Sequence, residues 1–421
     1  MKILQLLPSL DPRQGGPAEC VRQSAAALAA QGHRVEILTL DAPDAPWLRD
    51  TGLAVHALGP AHGGYRYCPA LVPWLRTHAR SFAAVIVNGL WQHHGFATWR
   101  ALRDSGVPYF VFPHGMLDPW FRRAHPLKHL KKWLYWPWAE YRVLRDACAV
   151  LFTAEEERRR ARESFWLYRA NERVVSFGTS VPPPAFATDG GSLAERFLDA
   201  YPRLRGKRLV LFLGRLHPKK GCDLLIDAFA REAEQMPGAH LVMAGPDSAG
   251  WSAALRDQVA ARGIAGRVSW TGMLRDEMKW GAFRASEVFV LPSHQENFGI
   301  AVAEALGCGL PALLSTQVNI WREVTQGGAG MGAPDTVDGT AGMLRAWFAL
   351  APADRARMRA RAQAVFDRHF TVDAMASDLL RVVQEGARSA GVDGESVPAA
   401  LAAGVLEQGT EGKRQGDRLS N

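Results

Sequence analysis

Short, nearly unbroken apolar runs recur along this chain, and between them lie longer segments whose apolar residues return every third or fourth position. Runs such as Lys2–Leu7, Val35–Leu40, Ala84–Val87 and Tyr109–Phe112 read as strands covered on both faces, the pattern of a parallel sheet. Ala54–Leu58, Ala149–Thr153 and Arg173–Phe177 complete the strand candidates of the first half. Helical spacing fills Ala18–Ala30, which Gly32 closes, and then Pro69–Arg80, Gly95–Ser105 and Glu155–Glu163. The second half restarts the alternation with strands at Arg208–Leu213, His240–Ala244, Val268–Trp270, Val288–Leu291 and Pro311–Leu314, and with helices such as Cys222–Glu232 between them. Strand–helix alternation throughout predicts an α/β chain of two Rossmann-like, doubly wound domains.

The pattern breaks at Gly178–Gly191, which holds Pro182-Pro183-Pro184 and Gly190-Gly191 with little apolar periodicity. This stretch is expected to link a first domain, residues 1–190, to a second, residues 191–370. Val372–Glu385 is helical in pattern, so residues 371–386 are expected to form a last helix. From 387 to 421 the chain is rich in Gly, Ser and charge, the composition of a disordered tail.

Composition narrows the class. A chain of 421 residues with 48% hydrophobic and 22% charged residues is that of a soluble, two-domain globular protein. No apolar run approaches a membrane span, and the opening MKILQLLPSL reads as a first strand, not a signal peptide. Cys20, Cys68, Cys148, Cys222 and Cys308 are scattered, which predicts reduced thiols in a cytoplasmic setting and no zinc site. The net charge of +8 suits an anionic membrane face or phosphorylated substrates. It would also suit nucleic acid, but no zinc-finger, RNP or helix-turn-helix pattern is present.

Candidate chemistry sits where strands give way to helices. After Val288–Leu291 come Pro292 and the polar loop Ser293–Asn297, and a small-residue helix starts near Gly299. A helix N-terminus behind such a loop offers free N–H groups to a phosphate. Glu296 stands in the loop and Glu304 on the helix, among Ala301, Val302, Ala303, Ala305 and Leu306. In that buried setting a lone carboxylate needs a partner, and a ligand hydroxyl is the partner expected. The loop Gly214–Gly221, GRLHPKKG, presents Arg215, Lys219 and Lys220 after another strand, a fit for a diphosphate. In the first half, Gly15-Gly16 follows the first strand and lets backbone approach a ligand, and His114 ends the strand Tyr109–Phe112.

The Glu296-x7-Glu304 spacing, with Phe298-Gly299 inside it, resembles the signature of the retaining glycosyltransferases of family 4. GRLHPKKG and His114-Gly115-Met116-Leu117 resemble two further motifs of that family. The resemblance spans roughly Lys2 to Glu385 and is strongest in the second half. It implies the GT-B fold, two Rossmann-like domains facing across a cleft, with the last helix crossing back to the first domain. It implies that Arg215 and Lys220 contact the donor diphosphate, that Glu304 binds the ribose, and that Glu296 contacts the donor sugar. Asn297 and the backbone of Phe298, Gly299 and Ile300 would meet sugar hydroxyls and phosphate. His114 would lie near the reacting carbon, and Gly15-Gly16 would line the acceptor and phosphate side.

The implied reaction moves a hexose from a GDP- or UDP-sugar, with retention, to a glycan or lipid-linked acceptor in cell-surface polysaccharide assembly of the bacterial exopolysaccharide or O-antigen type. No Asp-x-Asp occurs, so neither a metal nor any other cofactor is expected, and the cations with the helix dipole take over the metal's role. His93-His94 is a weaker acceptor candidate, and no third ligand at metal spacing follows it. A nucleotide-sugar 2-epimerase or hydrolase on the same fold would need acid–base carboxylates such as Asp11, Glu19 or Asp118. A non-catalytic nucleotide-sugar-binding scaffold is the third reading. A two-Rossmann dehydrogenase is disfavoured, because neither glycine loop reads G-x-G-x-x-G.

Trp120–Arg145 remains. It sets Trp120, Trp133, Trp136 and Trp138 among Arg122, Arg123, Lys128, Lys131 and Lys132. Two readings stand side by side: an amphipathic helix packing its tryptophans inward, or a surface that meets an anionic membrane at its cytoplasmic face.

Overall fold

A computed structural model describes residues 1–14, 16–49, 51–124, 126–179, 190–247, 250–389 and 391. The chain folds into two wholly parallel sheets. The first holds β1 (Lys2–Leu7), β2 (Arg34–Thr39), β3 (Ala54–Ala57), β4 (Ala84–Asn88), β5 (Tyr109–Phe112), β6 (Ala149–Phe152) and β7 (Glu172–Val174), in the order β3-β2-β1-β4-β5-β6-β7. The second holds β8 (Arg208–Leu213), β9 (Ala239–Ala244), β10 (Val268–Gly272), β11 (Val288–Leu291), β12 (Ala312–Ser315) and β13 (Gly330–Ala333), in the order β10-β9-β8-β11-β12-β13. In each sheet the winding reverses beside the first strand, β1 against β4 and β8 against β11. The loops that follow these neighbours part to opposite faces and leave a crevice at the strands' carboxyl ends.

The central strands are buried along their whole length, as unbroken apolar runs require when helices cover both faces. Phe212, Phe229, Phe283 and Phe289 fill the second core, and Val85, Val87, Val111 and Phe152 belong to the first. The last helix, Val372–Ser389, lies against the first sheet. Its Ala376, Leu379 and Val383 pack with Ile3, Ile86 and Phe110, and Ser176 Oγ donates to Asp378 at 2.6 Å.

Several elements differ from the sequence expectation. The region read as a linker already contains the start of a helix, Gly190–Ala200, whose Leu193 and Phe197 are fully buried; residues 180–189 lie outside the described residues. β13, with the sequence Gly-Met-Gly-Ala, has no apolar run to announce it and, among the described residues, pairs only with β12. The strand expected at Arg173–Phe177 is the shorter β7. The last helix continues through 387–389, and the rest of the expected tail, except residue 391, lies outside the described residues.

Trp120–Arg145 is three short helices, Trp120–Ala124, Pro126–Tyr135 and Glu140–Arg145. Trp136 is fully buried against Phe165, yet Trp133 is 43% and Trp138 70% exposed, so the inward-packing reading fails for those two. All five cysteines are free thiols. Among the described residues no helix is long and apolar enough to cross a membrane.

Candidate functional site

A hollow of about 370 Å³ opens between the two sheets at their strand ends. From the first domain it is lined by Gly16, Pro17, His114 and Thr153, and from the second by Gly214, Lys220, Leu291, Glu296–Ala301 and Glu304. Gly15 lies outside the described residues. Arg215 is exposed and stands beyond the lining.

The turn that carries Lys219 and Lys220 is closed by Gly221, whose φ of 65° is the left-handed conformation that glycine adopts without cost. A Cβ there would lie 2.2 Å from the Pro292 carbonyl, so only glycine lets this turn seat on the end of β11. That contact brings the Lys220 ammonium onto the Glu296 carboxylate, and the two are hydrogen-bonded. Burial, with Lys219 and Arg215 close by, presses Lys220 down to about 7. The touching Glu296 carboxylate works the other way, favouring the charged form.

Glu296 is held by backbone on both sides: its N–H donates to Gln317 O at 3.0 Å, and its carbonyl accepts from Asn319 N–H at 3.0 Å. The helix Ile300–Gly307 begins at Gly299, φ 81°, with no side-chain cap, so the N–H groups ahead of Val302, whose own N–H donates to Gly299 O at 2.8 Å, are available to an anion. Phe298 contributes backbone rather than ring, because its ring is buried between Phe177 and Phe370.

Glu304 departs from the sequence argument. It is 8% exposed, but Lys279 Nζ donates to its Oε1 at 2.8 Å, so a ligand hydroxyl is not required as its partner. Burial raises its carboxyl, and Lys279 opposes the rise.

His114 has a φ of 50° and its ring stacks on Phe112. Burial lowers it to about 4, so the imidazole is neutral near pH 7. Asn88 Nδ2 donates to Gln5 Oε1 at 2.9 Å, which turns its Oδ1 toward His114 Nε2 at 3.0 Å. The Nε2–H therefore donates to Asn88, and Nδ1 is left as an acceptor for a hydroxyl.

Sequence reasoning missed Glu157. Its buried carboxylate accepts from Gly115 N–H at 2.6 Å, Thr153 N–H at 2.8 Å and the Thr153 hydroxyl at 2.7 Å, which fixes the His114 loop from behind. Its one signal was a run of three glutamates, Glu155–Glu157, at the start of a helix, where carboxylates are common.

Contacts cross between the domains around the hollow. Asn297 Nδ2 donates to Thr153 Oγ1 at 3.3 Å, Gln295 Nε2 to Asp118 Oδ2 at 3.2 Å, and Arg160 to Thr316 O at 2.8 Å, while Arg322 pairs with Glu156 at 2.7 Å.

The acid–base carboxylates that an epimerase would need lie off the hollow. Asp11 is paired with Arg13, Asp118 is held by Gln295 and the Trp120 N–H, and Glu19 accepts from Gln23. His93 accepts from Cys68 N–H, and His94 is buried with Nε2 on Asn88 O, so neither borders the hollow. Among the described residues no group of three or more His, Cys, Asp or Glu could hold a metal ion.

Residues 195–364 match the family described as glycosyl transferases group 1, and residues 15–178 match the glycosyl transferase 4-like domain. The chain is 28% identical to a D-inositol 3-phosphate glycosyltransferase of Jonesia denitrificans, over 90% of this chain and 93% of that one. It is 34% identical to a mannosylfructose-phosphate synthase of Agrobacterium fabrum, over 28% of either chain. The fold is similar to that of sucrose-phosphate synthase from Thermosynechococcus elongatus, with a TM-score of 0.69 and 21% identity over 91% of this chain and 98% of that one. Anabaena HepE in complex with UDP and glucose is similar to the same degree, TM-score 0.69, at 19% identity over 91% of this chain and all 100% of that one.

Proposed function

This chain belongs to the group 1 glycosyl transferases of family 4, with the GT-B fold, and on that footing we propose that it moves a hexose from a GDP- or UDP-sugar to a hydroxyl of a glycan or lipid-linked acceptor, with retention and without a metal. The observation that carries the reading is the meeting of Lys220, Glu296 and the uncapped helix start at Gly299 in one hollow. When the bond to the sugar breaks, negative charge grows on the leaving diphosphate. Lys220, Lys219, Arg215 and the helix N-terminus supply positive charge on that side. Glu296, drawn from Lys220 once phosphate takes its place, is free to accept hydroxyls of a sugar that turns cationic. His114 Nδ1 accepts another hydroxyl. A UDP donor is favoured by the likeness to HepE, found with UDP and glucose, and a GDP donor by a relative described as a GDP-mannose-dependent mannosyltransferase.

The first test is a thermal-shift screen of GDP-mannose, UDP-glucose and UDP-N-acetylglucosamine in EDTA. One nucleotide family is expected to raise the melting temperature by mass action, corresponding to about 2.7 kcal/mol at a hundredfold excess over Kd. No shift with any of them would sink the metal-free donor site.

A role in surface-polysaccharide assembly includes association with an anionic membrane face at the cytoplasmic side. The observation behind it is the helix Pro126–Tyr135, on which Leu127, Leu130, Trp133 and Leu134 are exposed beside Lys128 and Lys131, with Trp166 against Trp133; Trp138, just beyond the helix, is exposed as well. Co-sedimentation with phosphatidylglycerol vesicles is expected, and Leu127→Asp with Leu134→Asp should reduce binding about tenfold or more, since each swap removes apolar burial and adds repulsion. Equal sedimentation of wild type and variant would exclude this patch.

A further inference from the structure

The segment Asn88–His94, from the end of β4 to the start of the next helix, and the loop after β5, Pro113–Leu117, are knitted together behind the hollow. Asn88 Oδ1 accepts from His114, Leu90 N–H meets Met116 Sδ at 3.2 Å, and the Trp91 indole N–H donates to Met116 O at 3.3 Å. Trp91 has a φ of 70°, a left-handed conformation that costs a bulky residue free energy and persists only where its surroundings enforce it. The enforcing group is Glu140. Its Oε1 accepts the Trp91 backbone N–H at 2.6 Å, and its side chain is completely buried. Among the described residues its Oε2 has no hydrogen-bond partner. Lys132 Nζ lies 4.7 Å from the centre of the Trp91 ring and holds the same turn from another side.

A completely buried carboxylate with one oxygen unpartnered is a costly device for packing alone. Apolar side chains would fill that volume at lower cost, which leaves as its uses the bond to Trp91 and the attraction for Lys132, and both act on the Trp91 turn.

We infer that Glu140 is a positioning residue for sugar transfer, acting through the Trp91 turn on the loop that carries His114. This rests on the transferase reading given above. Glu140 touches no residue named in the donor-side grip of Lys220 and Gly299, so it sets the reaction step and leaves donor affinity alone. Burial raises its carboxyl to about 7, so glutamine closely mimics the neutral form and keeps the acceptor oxygen.

The test compares Glu140→Gln with Glu140→Ala in the full chain. Glu140→Ala is expected to lower kcat by about tenfold to a hundredfold with donor KM within about twofold, because a small misplacement at the reacting group weighs on turnover. Glu140→Gln is expected to stay within about threefold of wild type. In ¹⁵N-histidine-labelled protein, with His114 identified through His114→Asn, the neutral Nε2–H signal should persist in Glu140→Gln and shift in Glu140→Ala.

Wild-type kcat and an unmoved His114 signal in Glu140→Ala would overturn the inference. So would a glutamine variant as impaired as the alanine one, or a collapse of every histidine signal together, which would make the role purely structural. If the wild type transfers no sugar, the transferase reading fails while the His114 signal still decides whether Glu140 sets this loop.

Discussion

Lys220→Met is expected to lower turnover by about 10²–10³-fold, roughly 3–4 kcal/mol, the scale for removing one preorganised charge-stabilising group. Methionine keeps most of the length of the stem and removes the ammonium with its charge and donors, so the loss reports electrostatics and hydrogen bonding, not a cavity. Two effects on stability oppose each other. Breaking the contact strands the Glu296 carboxylate, whose side chain is 17% exposed, and that destabilises. Removing one of three clustered cations, Arg215, Lys219 and Lys220, relieves repulsion and stabilises. The melting temperature should therefore move by only a few degrees while turnover collapses.

The charge also has a pH signature. In the free protein burial and the neighbouring cations press Lys220 down to about 7 against the pull of Glu296, and a bound diphosphate raises it. Donor binding then draws in a proton above pH 7. Affinity is fullest below 7 and weakens as pH climbs toward the bound-state value. Calorimetry at pH 8 in two buffers of different ionisation enthalpy reads this uptake directly. A loss of turnover under tenfold would remove Lys220 from the diphosphate site, and no proton uptake in the wild type would show that Glu296 already keeps it charged in the free protein.

Legibility in the sequence followed distance along the chain. The stretch from β11 through Glu296 to the helix Ile300–Gly307 is one strand–loop–helix unit, so its spacing alone placed both carboxylates. The same holds for Lys220, one residue ahead of a glycine that the turn requires. What remained hidden depends on partners from other elements. Glu304 meets Lys279, 25 positions away, and Glu140 meets Trp91, 49 positions away. No periodicity encodes such pairs.

Edge elements were hidden for a different reason. β13 has two glycines in four residues, because the Ala312 carbonyl lies 1.9 Å from where a Gly330 Cβ would sit, and close strand packing replaced the apolar signal. The helix Gly190–Ala200 was masked by the glycines at its own start, next to a proline run. The tryptophan-rich stretch mixes buried Trp136 with exposed Trp138, and composition does not separate them.

Gly115→Ala is expected to lower kcat about a hundredfold while leaving donor Kd within about threefold. The position has a φ of 74°, so alanine carries a left-handed penalty of about 1–2 kcal/mol before any clash. The clash is the larger effect. The added Cβ would lie 2.7 Å from Asn297 Cγ and Oδ1 and 2.8 Å from Asn297 Cβ, across the seam between the domains. The contact includes the root of the Asn297 side chain, so a rotamer change does not clear it. The loop is not free to retreat, because its Gly115 N–H is held by Glu157 at 2.6 Å. Asn297 is held in turn by Asn319 at 3.2 Å and Thr153 at 3.3 Å. The softest element left is the seam itself, and it should open, drawing His114 away from a sugar still gripped by the second domain. A displacement near 1 Å at the reacting centre is enough for about a hundredfold loss. Kinetics, donor calorimetry and the radius of gyration by small-angle scattering read the three parts separately. Asn297→Gly in the same chain deletes every clashing atom but also removes a side chain that lines the hollow, so the radius of gyration, not turnover, should return to the wild-type value. A radius of gyration in Gly115→Ala unchanged from wild type would place the defect in the backbone of the His114 loop and not in the approach of the two domains.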